Sequence, residues 1–333
     1  MFFRSPWRIV IWLYRLNEPV KIVILLSCFS SFQTSAIMMV FRILLLPFAF
    51  FIMHHCAAQG FSVTRLSEGT LLRTALPTAP FPAPQRAEGH DYGDEHYDDA
   101  THYRDSSVAI FIPKYLQAAD SFDYIVHFHG WWNEIDSVLN TFDLIPQLTA
   151  SGKNAILVVP QGPRKSPDSS GGKLEEPLAF KAFMSDVQQV MAQHLGLKEA
   201  PLRHIILSGH SGGYRVMSYI LLQGGLDEAI KEVWLFDGLY GQLEKYAMWL
   251  ERSKGRFINI YTPDGGTFET TLDLMNSLRG WDIQYKHIDD SNDVNPKIPE
   301  DGAVFWFTGL GHNEVLHARR YFYRLASTSR YLR

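Results

Sequence analysis

Cysteine is nearly absent from this chain. The 333 residues contain two, Cys28 and Cys56. Both precede residue 59, so the rest of the chain can form no disulfide framework, no cysteine-based zinc site and no thiol nucleophile. Positive charge is not in excess either. Lys and Arg together number 31 against 35 Asp and Glu, a formal net charge of −4. That balance, with no basic stripe, excludes an electrostatic footprint for nucleic acid. No glycine-rich loop of nucleotide-binding pattern occurs, and no internal repeat. Arg15, Glu18 and Lys21 interrupt any long apolar span in the first 37 residues. What is present instead is a continuous alternation of short apolar runs and helix-patterned segments from about residue 105 onward.

At the N-terminus, Arg42 precedes the apolar run Ile43 to Met53, followed by His54, His55, Cys56, Ala57 and Ala58. A positive residue, a short apolar core and small residues at a cut site read as a secretory leader. Cleavage is expected after Ala58, leaving Gln59 first, with translation starting at Met38 or Met39 and export to the periplasm or medium. An uncleaved membrane anchor is the alternative. The expected organisation is residues 1–58 as extension and leader, 59–104 as an extended arm, and 105–333 as the main folded domain. The arm is proline-rich from Leu76 to Pro84, then polar from His90 to Tyr103. Its His90–His96 part reads as a solvated loop and not as a metal site.

The expected strands are Ser107–Ile112, Asp123–His129, Asn154–Pro160, His204–Ser208, Glu232–Phe236, Phe257–Tyr261 and Ala303–Phe307. Helical spacing predicts helices over Ser137–Ala150, Leu178–Leu195, Tyr214–Leu222, Leu243–Arg252, Phe268–Leu278 and Asn313–Ala326. Strands that are apolar throughout, separated by helices, imply an α/β fold: a mainly parallel sheet with helices on both faces. Ser107–Ile112 is expected as an antiparallel edge.

Gly209-His210-Ser211-Gly212-Gly213 stands between the strand 204–208 and the helix that begins at Tyr214. It is a G-x-S-x-G sequence in the strand–turn–helix setting that gives the motif meaning. With Gly309-Leu310-Gly311-His312-Asn313 after the last strand, residues 105–330 resemble the α/β-hydrolase superfamily, in which Ser, acid and His follow one another in that order. The resemblance implies Ser211 as nucleophile and His312 as general base. A serine hydroxyl needs such a base at neutral pH, and the base needs a carboxylate to fix its tautomer. Asp264, after the seventh strand of the superfamily's numbering, is the preferred acid. Asp237, after the sixth, is the alternative. The resemblance further implies an oxyanion hole from the backbone of Gly212 and of Trp131, with Gly130 next.

Two loops at that sheet edge bear on substrate. From them, Trp132, His129, Gln161 and Lys173 are the candidate substrate contacts. The loop 161–176, which also carries Arg164 and Lys165, is long and polar, and long loops in compact domains tend to be functional. His127 and His129 alternate on one strand, but no third or fourth ligand stands at metal spacing, so no metal and no cofactor are expected. The connection after residue 236 is short, which leaves no room for an inserted helical cap. The resulting expectation is a serine esterase without a cap, acting on a small or polymer-linked ester. A serine peptidase and a non-catalytic binding protein are the alternatives, and the oligomeric state is open.

Overall fold

The structure, a computed structural model, describes residues 60–117, 119–291 and 295–333. The expected leader and cleavage site, and both cysteines, lie outside the described residues. Ten strands form one mixed sheet: β1 (Phe61–Arg65), β2 (Gly69–Ala75), β5 (Ser107–Pro113), β6 (Phe122–Phe128), β7 (Ala155–Pro160), β8 (Leu202–His210), β9 (Ile230–Phe236), β10 (Arg256–Tyr261), β11 (Tyr285–Asp289) and β12 (Gly302–Phe307). Their order across the sheet is β1-β2-β5-β7-β6-β8-β9-β10-β12-β11. β1, β2, β5 and β7 pair antiparallel, and every pairing from β7 onward is parallel. A separate hairpin joins β3 (His90–Tyr92) to β4 (Glu95–Tyr97).

The helices are α1 (Asp99–His102), α2 (Ile135–Thr141), α3 (Leu144–Ser151), α4 (Ala179–Leu195), α5 (Tyr214–Gln223), α6 (Leu243–Arg252), α7 (Phe268–Gly280) and α8 (Tyr321–Thr328). Strand side chains alternate between two cores because successive residues point to opposite faces. Tyr124, Val126, Leu207, Val233 and Leu235 enter one core with residues of α4 to α7. Ile125, Ile206, Trp234 and Phe236 enter the other with residues of α2, α3 and α8. Both faces are therefore dry, which explains why the strands carry no polar–apolar alternation.

The structure departs from the expected elements in four places. Ser107–Pro113 is not an edge: it lies between β2 and β7, because the arm supplies β1 and β2 beyond it. The helix expected over 137–150 breaks at Asp143 (φ 51°), after which Pro146 sits in the first turn of α3, where its missing N–H is tolerated. The helix expected from Asn313 begins only at Tyr321, after a run of turns. Gln147 accounts for that irregular path. Buried, it donates to the carbonyls of Phe142 and Leu316 (2.8 and 2.9 Å) and accepts from the Tyr323 N–H at 3.0 Å. Finally, β11 adds an exposed parallel edge outside β12.

β6 has later strands on both sides, β7 on one and β8 on the other. Such a reversal of strand order opens a crevice at the carboxyl ends of the strands. The segments leaving β6 and β8 at that crevice are the ones that contain Gly130–Trp132 and Ser211.

Candidate active site

Ser211 occupies the turn between β8 and α5 with φ 51°, a left-handed conformation that is rare for residues other than glycine. Close packing enforces the turn. A Cβ on Gly213 would lie 2.5 Å from the Phe128 carbonyl oxygen, so only glycine lets α5 approach the end of β6. The segment after β6 passes equally close on the other side. A Cβ on Gly130 would lie 2.5 Å from Ser211 Cβ and 3.1 Å from its Oγ.

His312 hangs from the turns after β12, and Asp237 follows β9 directly with φ 45°. Their side chains meet at 2.6 Å, His312 Nδ1 to Asp237 Oδ2. The Asp237 carboxylate is fully buried, and three further donors reach it. The Thr262 N–H (3.2 Å), the Thr262 hydroxyl (2.8 Å) and the Thr267 hydroxyl all donate to it. Burial alone would push this carboxyl up, but the hydrogen bonds from His312, Thr267 and Thr262 outweigh that effect and hold it below its ordinary value. A carboxylate ionised in this setting accepts from His312, so Nδ1 carries the proton and Nε2 is left as the basic nitrogen.

Asp264, the acid preferred from the sequence, is exposed on the loop after β10. The carboxylate against His312 is Asp237 instead. The physical reason lies in the loop 262–267, which contributes two hydroxyls and an N–H to Asp237 and turns its own carboxylate to solvent.

Ser211 and His312 line one cavity of about 610 Å³, together with Gly212, Trp131 and Trp132. Its wall also holds side chains the sequence reading did not single out, among them His210, Ser169, Tyr214 and Tyr240. His210 was legible as the variable residue inside the serine motif. It is buried, donates from Nε2 to the His312 carbonyl at 3.0 Å, and its ring lies tilted against that of His312 with centroids 4.7 Å apart. Burial, reinforced by the neighbouring His312, pushes its pKa down to about 4, so the ring is neutral at pH 7. Tyr240 carried no sequence signal. Its hydroxyl donates to the Gly265 carbonyl.

The candidate substrate contacts separate into two groups. Trp132 stands at the cavity rim, 54% exposed. His129, Gln161 and Lys173 do not line the cavity. His129 is buried behind it, with Nδ1 on the Gly130 carbonyl at 2.8 Å and Nε2 accepting from the N–H of Gly162 and the amide of Gln161, both at 2.9 Å. Gln161 also accepts from the Ile135 N–H at 3.1 Å. These two residues bolt the segment after β6 to the segment after β7. Lys173 donates to the Pro77 carbonyl at 2.5 Å and fastens the arm. Arg164 and Lys165 both pair with Glu134, at 2.9 and 2.7 Å. Nor do His127 and His129 converge, since His127 Nδ1 faces the Ser208 hydroxyl at 2.8 Å.

No protein-family model matches the chain, and no curated protein matches it. Among solved structures, the chain is similar to an S-formylglutathione hydrolase from Agrobacterium tumefaciens at 12% identity, over 80% of this chain and 95% of that one, with a TM-score of 0.47. It is similar to a ferulic acid esterase at 13% identity, over 67% and 92%, with a TM-score of 0.44. A feruloyl esterase module from Clostridium thermocellum complexed with sinapinate gives 12% identity over 81% and 96%, with a TM-score of 0.43. The order of the sheet's strands, the serine turn after β8 and the histidine loop after β12 are features of this chain's own geometry, and with them it has the α/β-hydrolase fold.

Proposed function

We propose that this chain is a serine hydrolase cleaving a carboxylic ester, with Ser211 as nucleophile, His312 as general base and acid, and Asp237 as the orienting acid. The observation that carries the reading is the 2.6 Å pairing of His312 with the fully buried Asp237 carboxylate, His312 lining the same cavity as a serine held at positive φ. Backbone strain of this kind is kept where the surrounding structure over-determines it, commonly at sites of chemistry.

In the first step His312 Nε2 takes the Ser211 proton as Oγ bonds to the acyl carbon. The carbonyl oxygen becomes an oxyanion, received by the N–H groups of Gly212 and Trp131. The Trp132 N–H is engaged by the Ser166 carbonyl at 3.1 Å, so it is not part of this hole. The protonated His312 then gives its proton to the leaving alkoxide as the carbon–oxygen bond breaks. Water, activated by the same nitrogen, hydrolyses the acyl-enzyme. Asp237 keeps the imidazole in its tautomer and stabilises the imidazolium of each step. Each oxyanion donor is worth about 3 kcal/mol of transition-state stabilisation.

The connection from β9 to α6, residues 237–242, is too short for a helical cap, which supports an open site suited to an exposed or glycan-linked ester. Location outside the cytoplasm, with processing near Ala58, belongs to the same reading; mass spectrometry of the protein from its native host should find Gln59 first. Among the described residues no helix is long and apolar enough to cross a membrane. The test of function is covalent labelling by a fluorophosphonate, followed by assay on acyl esters, acetylated glycans and peptides. Labelling confined to Ser211 with turnover of esters is expected. Equal labelling of Ser211→Ala would refute the assignment, and absence of any labelling would favour a non-catalytic binding protein.

A further inference from the structure

The β3–β4 hairpin comes from the arm, yet it reaches the rim of the cavity. Its Tyr92 ring lies edge-on to Trp131, centroids 5.2 Å apart, and its Tyr97 ring is edge-on to Trp132 at 5.6 Å. Tyr97 is buried by that contact, whereas Tyr92 remains 49% exposed, much like Trp132. Tyr92, against Trp131, and Trp132, next to it in the chain, are thus both about half exposed, and Trp131 and Trp132 line the cavity that holds Ser211. Trp132 adopts φ 62°, a strained conformation for a bulky residue. The hairpin has a fixed support. His102, just beyond it, hydrogen-bonds through Nδ1 to the Arg164 carbonyl at 2.7 Å and accepts at its own carbonyl from the Arg164 N–H at 2.9 Å.

The chemistry around these faces narrows the ligand. Asp91, Asp94 and Glu95 are exposed on the hairpin beside Tyr92, with Asp91 against His96 at 2.6 Å and Glu95 accepting from the Tyr97 hydroxyl at 2.5 Å, while the loop cations Arg164 and Lys165 pair with Glu134. An acidic fringe repels polyanions such as uronate or phosphate polymers. A neutral sugar suits both features: its C–H face packs on an aromatic ring while its hydroxyls donate to carboxylates. We propose that Tyr92, Trp131 and Trp132 form a binding site for a neutral glycan chain, which leads an acyl group carried on that chain to Ser211. The cleaved bond rests on the ester-hydrolase reading above, whereas the sugar binding does not.

The experiment separates the two. Ser211→Ala protein is run in native gels cast with neutral xylan, glucomannan or β-glucan, and with polygalacturonate as the acidic counterpart. Retardation is expected in at least one neutral gel and not in polygalacturonate. In the same background, Tyr92→Ala and Trp132→Ala should each weaken the apparent affinity about tenfold, the loss expected for one aromatic stacking contact. Tyr92→Phe should retain it. Trp281→Ala is the control, because Trp281 is 49% exposed but does not line the cavity. Thermal melts establish that each variant is folded. Absence of retardation in all three neutral gels, stronger retardation in polygalacturonate, or retardation untouched by Tyr92→Ala and Trp132→Ala overturns the proposal, whatever the enzyme does to esters.

Discussion

At the scale of single residues, the choice of acid makes the sharpest prediction. Asp237→Asn should lower kcat by about 10⁴, because an amide at this position favours the wrong His312 tautomer. Asp264→Asn should stay within about threefold of wild type, since an exposed loop carboxylate outside any buried network contributes little. A reversed pattern in steady-state kinetics would move the role to Asp264. The buried imidazoles predict a pH dependence of stability. Burial, with lesser contributions from His210 and His129, pushes His127 down to about 3, and His210 is at about 4, whereas both titrate near 6.5 in an unfolded chain. Below about pH 6.5 the unfolded state therefore binds more protons than the folded one, and stability falls as pH drops toward those folded values. Asp237 acts lower: its stabilising contribution is present above the unfolded carboxylate value and is lost as pH falls through its depressed folded value. Urea midpoints measured at pH 7, 5.5 and 4.5 should decline steadily, and His127→Leu should flatten the decline. An unchanged slope in that variant would count against the imidazole account.

At the scale of elements, the site is an arrangement of segments leaving adjacent strands, and their close approach can be tested without touching a catalytic side chain. Gly130→Ala places a methyl group against Ser211 Cβ, a contact at 2.5 Å that requires the segment after β6 to retreat. Displacing the proposed oxyanion donors in this way should lower kcat/KM by about 10²-fold or more, the effect of losing one such donor, and should also lower the melting temperature, because the contact is with Ser211 Cβ and not with the end of a flexible side chain. Normal activity in Gly130→Ala would mean that this segment does not form the oxyanion hole. The loop 161–176 illustrates how composition misleads at this scale. Its charges and glycines read as a solvated substrate loop. In the structure Asp168 pairs with Arg86 at 2.6 Å, Glu175 pairs with Arg215 at 2.8 Å, and Ser166 is buried against Tyr103 at 2.7 Å. Most of its charges thus tie the loop to the arm and to α5, a relation between distant segments that no local pattern encodes, while Ser169 lines the cavity and accepts from Trp131 Nε1 at 2.8 Å.

At the scale of the whole molecule, the arm is part of the sheet. β2 pairs with β5 along its full length, from Gly69 opposite Pro113 to Ala75 opposite Ser107, and Leu72, Leu76, Ala79 and Phe81 are buried. A chain starting at residue 105 would expose the edge of β5 and the apolar surface beneath the arm. It should be recovered aggregated or unfolded, whereas a chain starting at residue 59 should give a soluble monodisperse species by size-exclusion chromatography with scattering. A soluble, cooperatively melting 105–333 fragment would contradict this. The central strands and the helices α4 to α7 were legible in the sequence because each carries its own periodicity, and strands buried on both faces need no partner to be recognised. The serine turn was legible for a similar reason, since its steric demand for small residues is met within five positions, and His312 was found by its place after the last strand. The edge strands β1 and β11 were not, because an edge exposed to water has no apolar run to announce it. The identity of the carboxylate facing His312 also lay beyond the sequence. Asp237 and Asp264 stand in near-identical Asp-Gly turns, and local chemistry gives both the same propensity. Only the fold, by bringing Thr262, Thr267 and His312 around one of them and leaving the other in water, makes the difference, because hydrogen bonding and desolvation depend on neighbours 25 to 75 positions away.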